Sequence, residues 1–429
     1  MNRKNFLIIV GILLLTVLHA MFYKNNDDKF RVANAPVLSS GMVPVIYDGN
    51  NWIKVDSKNT DYKWYNYENG KWANVVLVND YEKYDNWNVG ATINNEDIIA
   101  FYVWIPRYKY RVFNINKQNG YEYYSALENG IDIVFESGIE KTGKVKCNYY
   151  YKKKIFNKNN EVCIGNNGDY YTHPAFTFGN QELEGIWVGK FETTGSIDNP
   201  TILPIQSPLR NLNIYNQFNI AKKFSLYLKS KNDSHMMKNI EWGAVAYLTH
   251  SKYGNCIDGC HEVGVNNLSD FTTGTVKLED GSQFTYESKI GMQTSTTGNI
   301  TGIYDMSGGS VENVMANVSL ERNKYTFNGL FYTGFTSSWY IDNQKYVDSY
   351  AYNEEIIADT SVSNSRLGDA MGETRSWYND SNFAPNVDTS WIERGGNYGM
   401  GKNAGIFAYG GNMGYNIRMN GFRSVIVSG

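Results

Sequence analysis

An apolar run extends from Phe6 to Phe22, preceded by Arg3 and Lys4 and followed by Lys24, Asn25, Asn26, Asp27 and Asp28. This pattern is an export signal. The run is at the short end of what spans a bilayer as a helix, and it is long for the core of a cleaved leader. The small-residue sites after it are imperfect: Leu18, His19, Ala20 is one, and Ala33, Asn34, Ala35 is followed by Pro36. Residues 1–30 therefore read as a membrane anchor in preference to a cleaved signal, with Phe6–Phe22 in the cell membrane and the body extracellular.

Beyond Gly41 the pattern changes to short apolar stretches punctuated by turns. Val43 to Tyr47 and Trp52 to Val55 flank Asp48, Gly49 and Asn50, a composition that supplies positive φ in a hairpin. A second pair, Trp64 to Tyr67 and Trp72 to Val75, flanks Asn69 and Gly70, which suits a type I′ turn. Residues 31–96 thus read as a small aromatic β module. Trp52, Trp64 and Trp72 serve there either as a sugar-stacking platform or, as favoured, as packing of a thin sheet.

Two segments carry the helical period. Ile214, Phe218, Ala221 and Leu228 share one face, with Lys222, Lys223 and Lys229 on the wet side. The second helix starts near Asn239, a good N-cap residue, and places Ile240, Ala244, Tyr247 and Leu248 on one stripe until Gly254. Past Gly254, glycine recurs too often for long helices, so loops and short strands follow.

Composition sharpens this picture. Across 429 residues there are 40 Lys and Arg against 43 Asp and Glu, a net charge of -3, so no basic field draws nucleic acid. Only 19% of residues are charged, whereas 34 Tyr, 20 Phe, 10 Trp, 40 Gly and 53 Asn make a neutral, aromatic, turn-rich chain. An AT-rich genome inflates Asn, Lys, Tyr and Ile as well. Four cysteines fall in two local pairs, Cys147 with Cys163 and Cys256 with Cys260. Disulfides or free thiols are favoured over zinc, because Cys256, Cys260 and His261 lack a second ligand pair at zinc-like spacing.

Six motifs in order resemble the formylglycine-generating enzyme family, the sulfatase-modifying factors. They are YVWIP at Tyr102–Pro106, GIWVGKFETT at Gly185–Thr194, NIEWGAVAYL at Asn239–Leu248, GIYDMSGGSVENV at Gly302–Val314, RGGN at Arg394–Asn397 and GFR at Gly421–Arg423. The third is similar to the family's T-E-A-E-W-E-Y-A-A helix and the fourth to its G-L-Y-D-M-x-G-N-V-W-E-W segment. The resemblance covers residues 97–429 and implies an irregular α+β domain of the C-type-lectin-like variety, with two main helices. It leaves 31–96 outside.

The family's oxidase holds copper on two cysteines between R-G-G and G-F-R. This chain has no cysteine between Arg394 and Arg423, and no other residue type replaces a thiolate as nucleophile and soft ligand. The resemblance therefore implies a non-catalytic domain without a cofactor. Related sulfoxide synthases need a histidine-bearing bundle, which His19, His173, His235, His250 and His261 do not make. No G-x-S-x-G, H-E-x-x-H or Walker sequence appears. In the family's calcium segment Glu312 survives, but Gly309 stands where an Asn ligand is usual, so no ion is assigned.

A scaffold without its catalyst still displays loops. The segment after Arg394 offers Asn397, Tyr398, Asn403, Phe407, Tyr409, Asn412, Tyr415 and Asn416, flat rings and two-way amides of the kind paratopes use. These eight are the candidate ligand-binding residues, for a glycan or a surface protein as an adhesin would bind. Their competing reading is that the glycines permit turns and that Phe407 and Tyr409 alternate into the core. Two rival functions stand beside binding: a structural envelope or pilus-like assembly subunit, and an enzyme of unknown type on the same scaffold.

Overall fold

A computed structural model describes residues 35–114, 122–123, 126–143, 170–228, 232–319, 333–336, 339, 342–351, 368–383, 385–386 and 388–428. The apolar run Phe6–Phe22, Cys147, Cys163 and Lys229 lie outside the described residues. Among the described residues no helix is long and apolar enough to cross a membrane.

The fold is α+β with few helices. In chain order the elements are β1 (Met42–Tyr47), β2 (Trp52–Lys54), β3 (Asn74–Val78), α1 (Tyr81–Asp85), β4 (Ile98–Pro106), β5 (Tyr108–Arg111), α2 (Ala126–Asn129), β6 (Asp132–Phe135) and β7 (Tyr171–Thr172). They continue with β8 (Gly185–Gly189), α3 (Ile214–Lys222), β9 (Asp233–Met236), α4 (Asn239–Thr249), β10 (Val311–Ser319) and β11 (Asp348–Ala351). The chain closes with β12 (Trp391–Arg394), β13 (Tyr409–Asn412), β14 (Asn420–Phe422) and β15 (Ser424–Val427). Two-stranded ribbons and 3-10 turns fill the connections.

A seven-stranded sheet in the order β9-β15-β8-β4-β3-β1-β2 forms the centre. Its middle strands are apolar almost without alternation because both faces are covered: every residue of β3 and β8 is buried. Trp104 faces Trp187 across the β4–β8 ladder, their ring centroids 5.1 Å apart. Residues 31–96 and 97–429 share this sheet, since β3 pairs with β4 from Asn74↔Val103 to Val78↔Ile98.

The first hairpin forms at the expected place, paired from Tyr47↔Trp52 to Val45↔Lys54, and Asp48 closes its turn by accepting from the Asn50 and Asn51 amides. The second contracts to one bridge, Asn66↔Lys71, with a 3-10 turn at Tyr67–Asn69 and Gly70 at φ 60. The indoles bond to carbonyls there: Trp64 donates to that of Asn74 within the same segment and Trp72 to that of the distant Tyr253, each at 2.8 Å. Trp52, Trp64 and Trp72 are all buried, so the module's indoles are packing and not an open platform.

Helix α3 keeps its predicted face, with Ile214, Phe218 and Ala221 buried and Asn213 capping through the Asn216 amide. Helix α4 departs from a single stripe. All eleven of its residues are buried, because strands and loops enclose it on every side. Lys238, not Asn239, is its N-cap residue, and Asn239 turns inward to accept from Arg394 at 2.7 Å.

A second sheet runs β11-β10-β12-β13, with β14 parallel to β10. The two sheets meet at Arg423. Strand β14 belongs to one and β15 to the other, and this single residue separates them.

Candidate functional site

The eight candidate residues divide by depth. Phe407, Tyr409 and Asn412 are buried and form no part of the outer surface. Phe407 packs against Trp377 and His250, at 5.2 and 5.8 Å between ring centroids. Asn412 donates to Asn313 Oδ1 at 2.8 Å and Glu393 Oε2 at 2.9 Å, while its own oxygen accepts from the Gly414 amide. Asn420 repeats that bidentate donation, and Asn313 in turn donates to Gln217 of α3. These amides therefore tie β10, β12, β13 and β14 to α3, an internal role for residues read from sequence as ligand contacts.

Asn397, Tyr398, Asn403, Tyr415 and Asn416 remain at the surface, Asn397 and Tyr398 half-buried and the other three exposed. Tyr398 meets the ring of Phe271 edge-on, 4.8 Å between centroids. The guanidinium of Arg210 lies over the same Phe271 ring at 3.8 Å and donates through Nη1 to the Arg418 carbonyl at 2.8 Å. Met419, beside Arg418, is 40% exposed, as are Tyr415 at 43% and Met413 at 39%. The Tyr398 amide donates to Gly309, and the Val311 amide to Met419, so these loops close over the start of β10.

The backbone at this platform is strained at two residues. Ile205 and Phe271 hold φ of 58 and 66, the left-handed region that a branched or aromatic residue seldom enters, whereas Asn211 and Asp305, at 58 and 62, are residue types that adopt it readily. Backbone hydrogen bonds between segments far apart in sequence hold these loops: the Ile205 amide donates to Thr273, that of Thr273 to Gln206, and that of Asn211 to Ile417. Asp305 fixes the 266–274 loop by accepting from Asn266, Thr273 and the Gly274 amide.

Beneath lies a buried charge cluster. Glu192, Asp305 and Glu312 are buried with a single guanidinium, that of Arg423, which forks onto Glu312. Glu192 Oε1 accepts from the Ser310 amide at 2.9 Å, whereas among the described residues its Oε2 has no partner, nor do the hydroxyls of Thr193, Ser307 and Ser310. Burial, and then repulsion from Glu312 and Asp305, holds the Glu192 carboxyl well above its ordinary value of 4.5. The expected calcium-segment carboxylate, Glu312, is thus neutralised by Arg423.

A pH dependence follows. Because the folded protein binds the Glu192 proton more tightly than the unfolded chain, its contribution to stability is complete below about pH 4.5 and is lost as pH rises toward the elevated value. Glu192→Gln should therefore flatten the decline of stability with rising pH and raise stability at pH 8, as read by urea unfolding across that range. An unchanged slope would show that Glu192 is already ionised in the fold.

Elsewhere, His173 and His235 are buried structural groups. Burial pushes His173 down to about 3, and His235 lies between Asp233 Oδ1 and Glu241 Oε1 at 3.3 and 3.0 Å. A groove of about 1010 Å³ along edge strand β9, lined by Phe178, Gln181, Asp233, Asp342, Lys345 and Val427 among others, contains none of the eight candidates. Cys256 and Cys260 form a disulfide, and His261 is exposed beside it. Arg210 and Phe271 escaped the sequence reading because they come from separate segments with no periodicity to link them; tertiary structure alone unites them with Tyr398. No family model matches the chain, and no curated protein matches it.

Proposed function

We propose that the protein is an exported, membrane-anchored surface protein whose body, resembling a formylglycine-generating enzyme domain of C-type-lectin-like type, binds a glycan or protein ligand without converting it. The observation that carries this reading is the Arg210–Phe271–Tyr398 stack, a cation and two rings held by three loops on strained backbone. Strain of this kind concentrates where geometry serves a ligand. Arg and Tyr are also the side chains that dominate binding energy at interfaces. The Arg210 guanidinium is half-buried and lies beside Arg418, which favours a ligand carrying carboxylate or sulfate groups. The absence of cysteine between Arg394 and Arg423 supports binding over oxidase chemistry.

The test is equilibrium binding of the full chain to acidic and neutral glycans and to surface-protein extracts, beside Arg210→Gln and Tyr398→Ala. Saturable binding that weakens by about 30-fold in either variant, roughly 2 kcal/mol, is the expected result. Binding that both folded variants retain, or no binding at all, overturns the reading; concentration-dependent self-association would then point to the assembly subunit.

A further inference from the structure

Helix α4 ends at Thr249, and the loop after it folds back on the helix end through two hydrogen bonds. The Asn255 amide donates to the Thr249 carbonyl at 2.6 Å and the Cys256 amide to that of Ser251 at 3.1 Å. This return brings Cys256 and Cys260 against His250, so that one imidazole nitrogen and both sulfurs lie within 4.8 Å of one another. The nearest histidine in sequence, His261, is not the partner; the third group comes from the helix C-cap.

The imidazole is held in place by its own hydrogen bonds. Its Nε2 faces the carbonyl oxygens of Ala126 and Leu127 at 2.9 and 3.2 Å, which places the proton there and leaves the lone pair on Nδ1. Metal-bound imidazoles are commonly held by such a second hydrogen bond from the distal N–H to a carbonyl. The neighbour at Nδ1 is the Tyr378 hydroxyl, at 3.4 Å, a distance too long for a strong hydrogen bond. Tyr378 itself stands at φ 55 between Ser376 at 63 and Asn379 at 65, while Trp377 packs 5.0 Å from the imidazole.

We propose that Cys256, Cys260 and His250 form a redox-gated site for a soft or borderline divalent ion of the zinc type. As a disulfide the sulfurs are no ligands. Reduction by a dithiol transfers two electrons and two protons, breaking the Cys256–Cys260 bond and leaving the reductant as its own disulfide. Binding of the divalent ion then releases both thiol protons, giving two thiolates and one neutral imidazole with a fourth position open. The site is separate from the Arg210–Phe271–Tyr398 face and does not depend on the binding function assigned to it.

The experiment uses the full chain carrying Cys147→Ser and Cys163→Ser, reduced with a phosphine and titrated with Co²⁺. A thiolate-to-cobalt charge-transfer band that saturates at one ion per chain, disappears in the oxidised protein and is displaced by Zn²⁺ is expected. His250→Ala should weaken binding by more than about tenfold and alter the ligand-field bands. Cys260→Ser, in a half-buried loop position, should abolish the charge-transfer signal while circular dichroism stays unchanged. No such band after reduction, an equal band in the oxidised chain, or equal affinity in His250→Ala would each overturn the proposal.

Discussion

Arg423→Met is expected to lower the free energy of unfolding by about 3–5 kcal/mol, the range for removing one partner of a buried ion pair. The guanidinium is buried and forks onto Glu312, and it also donates to the carbonyls of Gly189 at 2.8 Å and Tyr304 at 2.9 Å. Methionine keeps much of the length but leaves Glu192, Asp305 and Glu312 without a buried guanidinium among them. It also releases two carbonyls, at the end of β8 and before Asp305, where the two sheets join. Lysine is no substitute, since one ammonium cannot fork onto a carboxylate and reach both carbonyls. The companion Arg423→Met, Glu312→Leu should recover part of the loss, because it removes the orphaned charge together with its partner. Urea unfolding of the three proteins decides it. A single variant within about 1 kcal/mol of the parent would mean that the carboxylates are already protonated and need no counter-charge.

How much of this was legible beforehand depends on the range of the interactions involved. The hairpin at 43–55 was readable because its turn chemistry is local, with Asp48 accepting from amides two and three residues on. Helix α3 was readable because one of its faces meets the core and the other is more open. The second hairpin was misread although Asn69 and Gly70 make a good turn, since the hydrogen bond of Trp72 to the distant Tyr253 carbonyl was not in the local pattern. The all-round burial of α4 hid its period, and the parallel pairing of β10 with β14 joins segments that no local rule connects.

The candidate site shows the same division in sharper form. A run of Asn and Tyr after Arg394 marks loops, but the letter Asn does not say whether the amide faces outward, as at Asn416, or joins a buried network, as at Asn412 and Asn420. Phe407 and Tyr409 belong to the core because Gly405 and Gly410 leave β13 and the turn before it pressed against Asp380 and Glu393. The two arginines of the RGGN and GFR motifs are structural, each spending its donors on carbonyls and one acid or amide inside the fold. Arg210, which no motif marks, is half-buried and reaches the surface, unlike those two.

Trp242→Ala is expected to cost about 3–5 kcal/mol, as for other fully buried tryptophans, and to act on the proposed binding face from below. The indole donates to the Ile406 carbonyl at 2.8 Å, its six-membered ring supports Gly395 at φ 83, and the Arg394 guanidinium lies 5.5 Å above it. Gly395 and Gly396 begin the turn that carries Asn397 and Tyr398, so the cavity left by the indole lies under that turn. Faster hydrogen exchange at amides 395–408 should therefore exceed the change elsewhere. Trp242→Phe keeps most of the packing and loses the N–H, and because Ile406 retains a long contact from Arg394 its cost should stay near 1–2 kcal/mol. Since Trp242 is wholly buried, any loss of affinity for the proposed ligand in Trp242→Ala is indirect and not through contact with it. A uniform rise in exchange across the chain would instead show that α4 supports the fold as a whole and leaves the Tyr398 turn to hold itself.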